Sequence, residues 1–102
     1  MKELVWTTHA KLKMKYYGLS EARVKRVLRN PERVEEGIAD NTVAMMQLGS
    51  LKTAKNPYEI WTMISKDAKK QTRVISAWKY PGRTKPGEPL PSAILRELRE
   101  AY

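Results

Sequence analysis

Apolar residues recur along this chain at two different spacings, and the change between them divides it. From Thr7 to Asn30 they return every three or four positions, the period of a helix lying on a surface. From Val34 to Tyr80 they cluster in short runs rich in β-branched and aromatic residues, broken by turn formers, as strands do. The last eleven residues return to a helical stripe.

Glu3 to Trp6 is short enough to be a strand. Thr7 and Thr8 can accept from the first free amides of a helix, so a helix is expected through His9 to Tyr17, stopping at Gly18. On it Ala10, Met14 and Tyr17 share one stripe and Leu12 and Tyr16 another. His9 and Lys13 fall between them, in the middle of the apolar arc. Ser20 caps a second helix that Asn30-Pro31 ends. Val24, Val27 and Leu28 line its apolar side, and Arg23, Lys25, Arg26 and Arg29 cover its back.

Glu32 to Asp40 is acidic and reads as an edge strand, its charges discouraging unwanted pairing. Thr42 to Leu51 and Tyr58 to Ser65 are apolar on both alternating faces, as strands covered on both sides are. A four-residue loop, Asp67 to Lys70, joins the second of these to Gln71–Tyr80 as an antiparallel hairpin. That strand stops at Pro81-Gly82. The segment from Pro81 to Pro91 is a stiff loop. Ser92 then caps a helix with Ile94, Leu95, Leu98 and Tyr102 on one side. The expected fold is one α+β domain over residues 1–102, with two N-terminal helices and a C-terminal helix packed on a small antiparallel sheet.

Composition adds a partner class. Twenty Lys and Arg against eleven Asp and Glu give a net charge of +9, which calls for a polyanion such as RNA, DNA or an acidic protein. With no cysteine there is neither a disulfide framework nor a thiolate metal site, and the lone histidine leaves no cluster with metal-ligand spacing. No cofactor motif is present. No apolar run approaches the length of a membrane span, so a soluble, cytoplasmic protein is expected.

The stretch Thr8 to Glu32 resembles a family of uncharacterised small prokaryotic domains, through His9, Ala10, Met14, Gly18, Leu19, Ser20, Val24, Val27, Leu28, Asn30, Pro31 and Glu32. That family is similar to BrnT and, more distantly, to RelE-type toxins. The resemblance covers about a quarter of the chain and implies a RelE-like fold. It further implies a metal-independent endoribonuclease toxin that cleaves mRNA, free or on the ribosome, and is held off by an acidic antitoxin. The family often carries arginine where this chain has Lys13 and Tyr17, which weakens phosphate clasping at both positions.

Such cleavage needs a base for the 2′-hydroxyl, an acid for the leaving oxygen and cations for the developing charge. The candidate catalytic residues are His9, Lys13, Tyr80 and Arg73, with Tyr58 as a second phenol. The candidate RNA-binding residues are Lys79, Arg83, Lys85, Arg26 and Arg29. A strict two-residue alternation places Val74, Ser76, Trp78 and Tyr80 on one face of the last strand and Arg73, Ile75, Ala77 and Lys79 on the other. Two other readings stay open: a non-catalytic RNA-binding module on the same fold, and a protein-interaction regulator.

Overall fold

The computed structural model describes residues 4–37, 41–50, 55–66 and 71–85. Seven elements follow one another: β1 (Leu4–Trp6), α1 (Thr8–Tyr17), α2 (Glu21–Arg29), β2 (Arg33–Glu36), β3 (Thr42–Leu48), β4 (Tyr58–Lys66) and β5 (Thr72–Pro81). Local chemistry sets the helix ends. Thr7 accepts from the Ala10 amide and opens α1, and Gly18, at φ 69°, closes it in the left-handed conformation that a side chain would strain. Ser20 accepts from the Arg23 amide and opens α2, with Glu21 in the positive first turn.

The strands form one sheet in the order β1-β5-β4-β3-β2. The pairs β2–β3, β3–β4 and β4–β5 are antiparallel. β1 runs parallel to β5, with Leu4 opposite Thr72 and Trp6 opposite Val74. This corrects the expectation of a wholly antiparallel sheet carrying three helices. The sheet is mixed, because the chain leaves β1 through α1 and α2 instead of a hairpin. The described residues contain two helices, and the helix expected after Ser92 lies outside them.

β5 departs from simple alternation. Met63 is opposite Ser76 and Ile64 is opposite Val74, so Ile75 is an extra residue, a β-bulge. The bulge shifts the alternation by one position. Thr72, Val74, Ala77 and Lys79 therefore share the face that carries the helices. Arg73, Ile75, Trp78 and Tyr80 lie on the opposite face. The two-residue alternation expected for this strand holds only on each side of Ile75. Thr7 seals the irregularity: its hydroxyl lies 3.0 and 3.1 Å from the carbonyl oxygens of Val74 and Ile75, and its amide donates to Val74.

Each face has its own core. Ala10, Met14, Leu19, Val24 and Val27 from the helical layer bury Ile60, Ile64, Val74 and Ala77. α1 packs on β5, and α2 packs on β4 and β3. Ala44, Met46, Trp61, Met63, Ile75 and Trp78 form the second core on the other face. Trp61 and Trp78 are directly cross-strand and parallel, with ring centroids 5.9 Å apart. Such a pair contributes about 0.5–1.5 kcal/mol beyond the area it buries. Trp78 is thus spent on the interior and is not a platform for a base.

A polar cluster borders that second core. Glu59 is 1% exposed. Its carboxylate accepts from the Trp61 indole at 3.0 Å and from the Thr84 amide and hydroxyl at 3.0 and 2.8 Å. The Arg33 guanidinium lies 3.9 Å from it, bonds Thr84 and stacks 5.1 Å from the Trp61 ring centroid. These bonds tie the segment after β5 back onto the sheet.

Candidate nucleic-acid interface

The helical layer carries most of the charge. Between Thr8 and Arg29 stand seven cations, Lys11, Lys13, Lys15, Arg23, Lys25, Arg26 and Arg29, against the single acid Glu21. Seven less one is +6 of the chain's +9. Among the described acids, Glu35 and Glu36 stand on the border strand β2 and Glu59 is buried on β4.

α1 is too short and too near the sheet border to bury a broad arc. Ala10 and Met14 are buried, and Tyr17 reaches both cores. Leu12 is 63% and Tyr16 75% exposed, so the second stripe, expected to face inward, faces water. Tyr16 is nevertheless held. Its ring meets Tyr17 edge to face at a centroid separation of 4.8 Å and 85°, and the Lys13 ammonium lies 5.4 Å from its centroid. Burial, and then the neighbouring Tyr16, push the Tyr17 phenol up from its ordinary value.

His9 and Lys13 flank that buried stripe, both partly exposed. Burial first, and the Lys13 charge second, push the His9 imidazole below its ordinary value, so it is neutral at pH 7. Its Nε2 is buried with no hydrogen-bond partner.

On α2, Val24 and Val27 face the core while Arg26 and Arg29 are exposed. Arg23 departs from the expected solvent side. Its guanidinium turns inward, donating to Gln47 Oε1 at 2.5 Å and to the Leu48 carbonyl at 3.4 Å. Gln47 in turn donates to the Asn30 carbonyl, closing the end of α2 onto β3. Burial chiefly, with Arg26 beside it, lowers the Arg23 pKa, while Tyr58 and Glu32 act the other way.

The remaining candidates divide between the two faces. Lys79 is on the helix-bearing face, its ammonium 5.5 Å from the Tyr58 ring centroid. Tyr80 is on the other face, partly buried against the second core. Arg73 is exposed on that same face but seven residues down the strand, roughly 20 Å away at the rise of a strand. Arg83 and Lys85 are exposed in the segment that Thr84 anchors to Glu59. The fold therefore places His9, Lys13, Arg26, Arg29 and Lys79 on one side of the sheet, and Tyr80 and Arg73 on the other. Spacing did not single out Tyr16; its signal was the run of lysines, Lys11, Lys13 and Lys15, interleaved with an aromatic at helical spacing.

Among the described residues no group of three or more histidines and acids could hold a metal ion, and no helix is long and apolar enough to cross a membrane. No family model, curated protein or solved structure matches the chain.

Proposed function

We propose that this chain binds RNA in the cytoplasm across the outer surface of α1 and α2. The observation that carries the reading is the charge of that layer: net +6 in 22 residues, on one side of the sheet. Arg26 and Arg29 on α2, and Lys11 and Lys15 on α1, are exposed and so can meet phosphates without losing a buried partner. An acidic antitoxin would cover the same surface by the same attraction.

Binding through phosphates releases counterions, so affinity for a labelled RNA falls steeply as salt rises. Arg26→Ala with Arg29→Ala should weaken binding and flatten that slope by about two, one for each lost phosphate contact. An unchanged slope in the double variant would remove α2 from the interface, and affinity insensitive to salt would remove the RNA reading.

His9 supports a second reading, metal-independent cleavage. A neutral imidazole among cations is the form a general base requires. Under this reading, wild type cleaves labelled RNA in excess chelator and leaves 2′,3′-cyclic phosphate ends. His9→Ala binds without cleaving. Binding without cleavage by either protein leaves the non-catalytic module.

A further inference from the structure

We propose that the RNA this layer takes is single-stranded, and that Tyr16 is the platform on which an unpaired base stacks. The inference rests on the RNA-binding reading and names its substrate class. A phosphate backbone, paired or not, is served by lysines and arginines alone. A 75%-exposed aromatic ring in their midst gains nothing from a duplex whose bases face each other. Tyr16 has a position that suits a base. Lys11 and Lys15 stand exposed together along one side of it on α1, and Leu12, one turn earlier, offers an apolar surface beside the ring. The ring is pre-organised. Tyr17 is anchored in both cores and meets Tyr16 at 85°, which holds the Tyr16 ring in one orientation. The Lys13 ammonium near that ring adds a cation at the place where a backbone following a stacked base would run.

The test uses the intact chain and two fluorescein-labelled probes of equal length, an oligouridylate and an RNA duplex, read by anisotropy at one low salt concentration. Tyr16→Ala should weaken oligouridylate binding about tenfold, within the usual range for loss of one stacked base, and leave duplex binding unchanged. Tyr16→Phe, which keeps the ring and drops the hydroxyl, should behave as wild type. Because Tyr16 contributes to neither core, the alanine variant should melt as wild type does, and that melt is the folding control. Equal losses on both probes, or no loss on the oligouridylate, overturn the stacking platform while RNA binding stands. Wild type that binds neither probe overturns the RNA reading itself, and this inference with it.

Discussion

Replacing Glu59 with alanine should be among the most damaging single changes in this protein. The carboxylate is buried beneath the segment after β5 and answers three donors, the Trp61 indole and the Thr84 amide and hydroxyl. It also faces the Arg33 guanidinium, itself largely buried. Truncation leaves two N–H groups without their acceptor and a charge without its counterion. Breaking a buried pair by removing one partner costs about 3–5 kcal/mol, against a total stability of about 5–15 kcal/mol for a domain. Glu35, 3.4 Å from Arg33, compensates part of the charge, which puts the expected loss near the lower figure, about 3 kcal/mol. Urea unfolding followed by tryptophan fluorescence reads this directly, since Trp61 and Trp78 lie in the adjoining core. Arg33→Met separates the causes. If the stranded guanidinium dominates, the double variant Glu59→Ala with Arg33→Met is more stable than the sum of the single losses, by roughly 1 kcal/mol or more. A single loss below about 1 kcal/mol, or strict additivity, would refute the reasoning and mean that solvent reaches the cluster.

Other outcomes follow from the same structure. Thr7→Val keeps the size of the side chain but removes both the cap of α1 and the donor to the bulge carbonyls. It should cost about 2 kcal/mol in the same unfolding assay, near the upper end for a helix cap, whereas a cost of a few tenths would show that the bulge does not depend on the hydroxyl. The His9 imidazole, held below its ordinary pKa of 6.5, binds fewer protons folded than unfolded in the window between its lowered value and 6.5. Stability therefore rises with pH through that window and falls as the solution is acidified through it. His9→Asn should flatten the urea midpoint between pH 5 and 7. A variant that keeps the full wild-type slope would assign the pH dependence to another group.

The parts of the fold that were legible in the sequence are those set by neighbours in the chain. Thr7, Gly18 and Ser20 act on amides and carbonyls a few residues away, so both ends of α1 and the start of α2 could be read from them, and Asn30-Pro31 marked the end of α2. The acidic edge strand and the three long strands announced themselves by composition. Pairing across the chain could not be read in this way. β1 finds its parallel partner 68 residues later, and no local signal distinguishes that from an antiparallel choice. The bulge at Ile75 is equally silent, because a bulged valine-isoleucine-serine run has the composition of a regular one, yet it decides which residues accompany Lys79. Within the site, the adjacency of His9 and Lys13 followed from their spacing of four. The exposure of Tyr16 and the inward turn of Arg23 depended on where each helix settles on the sheet. The burial of Glu59 had no sufficient local signal, since of its partners only Trp61 is near in sequence and Arg33 and Thr84 are each more than twenty residues away.

The pairing of β1 with β5 has a consequence for how the chain comes into being. Synthesis delivers Leu4–Trp6 some 68 residues before their only described neighbour in the sheet, Thr72–Val74. Closing so long a loop carries an entropic cost that nothing offsets until the later strand is available. The opening segment must therefore wait, and α1, whose cap is completed by carbonyls of that same strand, waits with it. The first described strand to be synthesised is among the last to find its place, and a ribosome that stalls before residue 75 holds a nascent chain whose first helix lacks the strand it rests on.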